Sequence, residues 1–281
     1  MTYSIVAADP DVHEVGVATQ SKFLAVGAVV PWARGDVGAV ATQSFADATF
    51  GPRGLELLAS GVDPQTALDR LLGVDEGREQ RQVGVVDAVG RSASFTGTKC
   101  FEHAASITGP GFACQGNILA AASVVPAMAE SFERSAGRPL ADRLVEALRA
   151  AEREGGDRRG RESAAILVAK PGAGYGGNND RYLDLRVDHH DDPIEELARL
   201  LELHRLYFER PRPSDLVEPD GALEEEIRIM LNGLGRLRAG QDVWEALEEY
   251  MSWENLEERW VGRGQLDPRV LEYLRAQVQA Q

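Results

Sequence analysis

Between Thr2 and Gly97 the chain is cut by turn residues into short apolar, β-branched runs, and this segmentation limits the fold more than any other feature of the sequence. The runs are Ser4–Ala8, Glu14–Gln20 (EVGVATQ), Phe23–Val30 (FLAVGAVV), Val37–Gln43 (VGAVATQ) and Val83–Gly97 (VGVVDAVGRSASFTG). Each suits a pleated strand better than a helix of ordinary length. The Asp9-Pro10-Asp11 turn and the Ala88-Val89-Gly90 break mark hairpins. Two helical stretches interrupt the series, Gly51–Gly61 and Asp63–Gly73. In the second, Asp63 stands as N-cap, Pro64 at the first helical position and Gly73 just past the end.

After Gly111 the pattern changes to helices, with apolar residues at three- and four-residue spacing over Ser123–Ser135 and Leu140–Glu154. Strands are expected again at Arg161–Lys170 and Arg181–Asp188, then a helix from Asp192-Pro193 to about Arg210. The class is α+β, with the order sheet, two helices, sheet and two more helices expected to stack as a four-layer αββα sandwich. The stretch RPRPSDLVEPDG marks a boundary. Residues 1–210 then form one domain, 211–221 a proline-rich linker and 222–281 a small three-helix domain. Its helices are expected at Ala222–Leu231, Gln241–Tyr250 and Pro268–Val278, packed by Trp244, Trp253 and Trp260.

The formal charge of −15 argues against a nucleic-acid partner, whose phosphates would be repelled. No apolar run approaches the roughly 18 to 20 residues that span a bilayer. The start lacks a basic segment followed by an apolar one, so the cytoplasm is the expected location. Cys100 and Cys114 lack the spacing of a redox or metal motif and read as buried or incidental thiols. In the Asp188–Asp192 run, neighbours on a strand face opposite ways, so no metal centre is expected there. No cofactor is expected either.

Thr2 is the principal candidate for chemistry. The residue is small enough for Met1 to be trimmed before it, and a threonine at a mature terminus carries a hydroxyl nucleophile and an α-amine that serves as its own base. With a pKa of about 7.7 to 8.0, roughly a tenth of that amine is free at neutral pH.

The segments TYSIVAAD, VGVATQSKFLAVGAVVPWA, VGAVATQSF, FGPRGLELL, RQVGVVDAVGR, QGNIL and GGDRRGRESAAILV together resemble the bacterial family called domain of unknown function 1028, over about residues 1–210. That family is assigned to the N-terminal nucleophile (Ntn) hydrolase superfamily. The tail segment MSWENLEERWVGRGQLDPRVLEYL resembles a peptidoglycan-binding module. The resemblance implies hydrolysis of a small amide or peptide-like substrate, with Thr2 as nucleophile, and a cell-wall fragment as a possible ligand of the tail. Lys22, Asn117 and Asp157 are the other catalytic candidates it implies, and Ser21, Gln43 and Gly116 the substrate-side ones. Gly116 and Asn117 are expected in a turn before a helix, where free backbone amides would face an oxyanion.

This chain also departs from the superfamily pattern. Thr19 or Gln20 stands where threonine proteases hold an acid, and no lysine lies near Arg34-Gly35, so Lys22 or Arg34 would supply the positive charge. The resemblance further implies a homo-oligomer. The alternative is a catalytically inactive Ntn-like fold that binds a ligand or acts as a scaffold through its tail.

Overall fold

The structure is a computed structural model that describes residues 2–280, so Met1, on which the expected trimming depends, lies outside the described residues. By packing the chain divides into two compact units, residues 1–199 and 200–281.

The first unit is mixed α and β. Strands β1 (Thr2–Asp9) and β2 (Glu14–Ser21) form a hairpin, with Tyr3 opposite Gln20 and Ala8 opposite Val15. The segment Phe23–Val30, expected as a strand, is instead a turn and a short 3-10 helix. Ala25 is left-handed at φ 54°, the Val26 N–H donates to Ser163 Oγ, and the Phe23 and Leu24 side chains are exposed. Strand β3 (Pro31–Arg34) follows, then β4 (Gly38–Ser44), helix α1 (Phe50–Ala59) and helix α2 (Pro64–Leu72). Asp63 caps α2 as its type predicts, accepting from Thr66 N–H at 3.1 Å.

Strands β5 (Arg81–Asp87) and β6 (Ser92–Thr96) form the second expected hairpin. A third hairpin, β7 (Ala105–Gly109) and β8 (Phe112–Asn117), lies where no strand is expected from the sequence, and β8 takes in Gly116 and Asn117, expected in a turn. Helices α3 (Val124–Arg134) and α4 (Leu140–Arg153), strands β9 (Ser163–Ala169) and β10 (Arg181–Val187), and helix α5 (Pro193–Phe208) complete the order.

Among the described residues ten strands make two sheets, one in the order β10-β9-β2-β1-β8-β7 and one in the order β3-β4-β5-β6. Their facing sides share a core of Val6, Val15 and Val17 from the first with Ala39, Ala41 and Val86 from the second. Helices α1 and α2 cover the outer side of the smaller sheet through Leu55, Leu58, Leu68 and Leu71. Helices α3 and α4 cover the outer side of the larger one. Because the inner strands β1, β2, β4, β5, β8 and β9 are buried on both faces, most of them read as continuous apolar runs, whereas the edge strand β10 alternates charged and apolar residues.

The second unit has its core in α6 (Gly221–Gly233), α7 (Val243–Trp253) and α8 (Pro268–Gln279). Trp244 is buried and Trp260 packs beside it, but Trp253, expected in this core, is 67% exposed and lies under the Arg236 guanidinium at 4.4 Å. The proline-rich stretch belongs to this unit, where Val217 and Leu266 exchange two backbone bonds of 2.9 Å.

Candidate functional site

In the larger sheet Thr2 lies opposite Asn117 of β8 and close to Ser21 of β2. It is 5% exposed, and its Oγ1 donates to Ser21 Oγ at 3.1 Å. Ser21 Oγ also accepts the Phe23 N–H at 3.0 Å, so the turn after β2 holds the hydroxyl that meets Thr2.

One residue further on, the Lys22 N–H donates to Asp157 Oδ2 at 3.1 Å. Asp157 is buried in the loop before β9, beside Leu119, and also accepts the Arg159 N–H at 2.9 Å and its guanidinium at 3.3–3.4 Å. Asp157 thus joins the end of β2 to the loop that follows α4. The Lys22 ammonium points elsewhere, to Glu162 Oε2 at 2.6 Å and the Arg161 carbonyl at 3.0 Å. Lys22 holds the Glu162 carboxyl below its usual range, with a second hydrogen bond from His189. Arg34, the other candidate cation, donates from Nη2 to the Leu55 carbonyl of α1 at 3.2 Å.

Asn117 and Gly116 are not in a turn before a helix. They end strand β8 between β1 and β7, and the next helix begins only at Val124. They therefore present no helix-terminus amides; the Asn117 side chain instead directs Nδ2 at the Thr2 carbonyl, 3.5 Å away. The Gly116 carbonyl accepts from Gln82 Nε2 at 2.8 Å. Gln43, 1% exposed, donates to the Thr2 carbonyl at 3.1 Å, and its Oε1 accepts from Ser4 Oγ at 2.7 Å.

Reasoning from sequence gives Gln82 and Gln115 no role, and together with Ser4 they complete this buried cluster. Gln115 Nε2 donates to Ser4 Oγ at 2.6 Å. Gln115 fits because β5 has glycine opposite it: a Cβ on Gly84 would stand 2.1 Å from Gln115 Oε1. The signal that could have found these residues is a period-two switch on the facing sides of the sheets. Ala8 and Val6 give way to Ser4 and Thr2, Val15 and Val17 to Thr19 and Ser21, and Ala39 and Ala41 to Gln43. Val86 gives way to Gln82, and Ala113 to Gln115 and Asn117. All five strands turn polar toward Thr2.

On the outer side of the larger sheet, Tyr3 donates its hydroxyl to Glu152 Oε2 at 2.7 Å. Burial, reinforced by the Glu152 carboxylate, pushes the phenol well above its ordinary pKa. Among the described residues no group of three or more His, Cys, Asp or Glu side chains could hold a metal ion.

Fold and site thus define a protein of two facing sheets, covered by helix pairs, with a threonine at the head of the first strand and a buried amide cluster beneath it. The family model described as "Family of unknown function (DUF1028)" matches residues 2–197, and the chain belongs to that family. The model described as "Putative peptidoglycan binding domain" matches residues 207–274. The crystal structure of a family member from Silicibacter pomeroyi is 33% identical, with a TM-score of 0.65, over 73% of this chain and 89% of that one. Among curated proteins, none matches.

Proposed function

We propose that the first unit is an amidohydrolase of the Ntn type, built as a four-layer αββα sandwich, and that Thr2 is its nucleophile once Met1 is removed. The observation that carries the reading is the setting of Thr2: a hydroxyl bonded to Ser21 Oγ at 3.1 Å, beside a loop fixed by Asp157 and above a carbonyl approached by two amides. The freed α-amine would take the Oγ1 proton as Oγ1 attacks the substrate carbonyl, and the same proton would pass to the departing amine. Water then adds to the threonyl ester, releasing the acid and restoring Thr2. Neither step needs a metal or cofactor.

In this reading the substrate is a small amide or a short peptide-like molecule. Ser21 orients the Thr2 hydroxyl, Asn117 serves on the Thr2 side of the cluster, and Asp157 with Arg159 sets the charge near the amine. Lys22 contributes through its backbone N–H. Gln43 and Gly116 support the site from below. The match of the tail to a peptidoglycan-binding family supports a cell-wall-related ligand for residues 207–274.

Replacing Thr2 by alanine in the full chain is expected to abolish turnover of any amide the native protein hydrolyses, and replacement by serine to retain part of it. Full activity in Thr2→Ala would exclude the mechanism.

A second reading, a fold retired from catalysis that binds through its tail, is favoured by one observation: the Lys22 ammonium is engaged by Glu162. Binding of purified cell-wall sacculi by the full chain, with no hydrolysis of any amide in a broad screen, is the outcome that reading requires.

A further inference from the structure

We propose that Gln82 is a positioning residue for Thr2, acting through the direction it imposes on the amides of Gln43 and Asn117; the inference rests on the reading of Thr2 as the nucleophile. Gln82 is fully buried near the start of β5. Its Oε1 accepts from Gln43 Nε2 at 2.8 Å and from Asn117 Nδ2 at 2.9 Å. Its Nε2 donates toward three oxygens: Thr96 Oγ1 at 3.0 Å, the Ala105 carbonyl at 3.2 Å and the Gly116 carbonyl at 2.8 Å.

A primary amide has two donor hydrogens on one side and an acceptor oxygen on the other. Flipped, Gln82 would set its oxygen against two carbonyls and its NH2 against two other NH2 groups, so a single orientation survives. That orientation propagates. Gln43 and Asn117 must turn their nitrogens toward Gln82, and those nitrogens then reach the Thr2 carbonyl at 3.1 and 3.5 Å. Gln43 Oε1 is left facing Ser4, which donates to it and accepts from Gln115. One side chain therefore sets the direction of every bond in the cluster.

The consequence for Thr2 is geometric. Two directed N–H groups on its carbonyl fix the peptide plane between Thr2 and Tyr3, and with it the direction in which the Thr2 Cα–Cβ bond carries Oγ1. A purely structural account does not explain why amides are here. At the far end of the same facing surfaces, Val6, Val15, Val17, Ala39 and Val86 fill the space with apolar atoms. Buried amides are costly unless fully paired, so a polar cluster confined to the Thr2 end calls for a reason beyond packing.

The experiment compares the full chain with Gln82→Met and Gln82→Glu, reading the rate at which a β-lactone acylates Thr2 as a function of pH, with thermal melts alongside. Methionine fills a similar volume with no directed bond. A buried glutamic acid stays protonated at low pH, accepts on one oxygen and donates from the other, and loses that match on ionising. Expected results are a Gln82→Met rate lower by on the order of tenfold to a hundredfold in a folded protein. For Gln82→Glu, the ratio to the native rate should fall as pH rises. The pH trend of that ratio needs only Gln82→Glu and the native protein, so it stands even where Gln82→Met does not fold.

A folded Gln82→Met acylated at the native rate would overturn the inference, as would a Gln82→Glu ratio that does not change with pH. With native acylation intact, either result leaves the Thr2 reading standing. Absence of acylation in the native protein removes that reading and this inference together.

Discussion

The two residues that follow the amides at the Thr2 carbonyl are both left-handed: Ser44 at φ 72° after Gln43, and Ile118 at φ 50° after Asn117. For a β-branched residue this conformation is a true outlier, costing on the order of 1–3 kcal/mol. Backbone bonds hold Ile118 on both sides, from its N–H to the Phe101 carbonyl and from the Arg158 N–H to its own carbonyl, each 3.2 Å. Strain beside both donors fits a site whose strand ends are bent to bring side chains onto one atom. A terminal threonine and a family resemblance single out Thr2, Ser21, Asn117 and Asp157 in the sequence, and the structure sets Ser21 and Asn117 beside Thr2 and Asp157 against the Lys22 N–H. Gln82 is missed because its signal is a switch from apolar to polar shared by several facing strands, which one strand taken by itself does not show. Tyr3 carries a prediction at this scale. Its folded-state pKa is raised, so the unfolded chain ionises first, at about pH 10, and stability falls as pH rises beyond that value. Urea titrations should show this downward slope lessened in Tyr3→Phe. At neutral pH the same variant should lose about 1–3 kcal/mol through the lost bond to Glu152.

Among the elements, those with end signals were readable. Asp63 and Asp267 cap α2 and α8 where an acidic residue before Pro predicts it. The misread elements share a cause, that local apolarity does not report backbone direction. Phe23–Val30 has the composition of a strand, but the chain must turn there to leave one sheet for the other, and Ala25 takes the left-handed position that makes the turn. The β7–β8 hairpin was hidden by Gly109-Pro110-Gly111, which reads as a boundary but is its turn, with Gly111 at φ 80°. In the second unit, Arg259 and Asp267 form an ion pair, each 3% exposed, and the same guanidinium donates to the Arg205 and Leu206 carbonyls at the end of α5. Arg259→Ala leaves a buried carboxylate and two carbonyls without their donor. It should cost about 3–5 kcal/mol in the unfolding of residues 200–281, read by calorimetry of the full chain. A loss below about 1 kcal/mol would show that water replaces the guanidinium there.

For the whole molecule, packing divides the chain at residues 199 and 200, ahead of the proline-rich stretch that the sequence marks as a boundary. A run of prolines reads as a tether, yet residues 211–221 are tied into the second unit through Val217 and Leu266, and the division by packing falls within α5. Charge is divided as unevenly as packing, with most of the net −15 carried after Asp191. Among the described residues, no helix is long and apolar enough to cross a membrane. What joins these scales is one residue, Thr2, toward whose end of the sheets five strands turn polar and whose carbonyl two of the amides approach. The most direct test is therefore mass spectrometry of the N-terminal peptide after the native protein has met a β-lactone. The predicted result is a chain that begins at Thr2 and carries the acyl adduct on that residue. A terminus that retains Met1 and carries no adduct would contradict the proposal, because both the nucleophile and its base would then be missing.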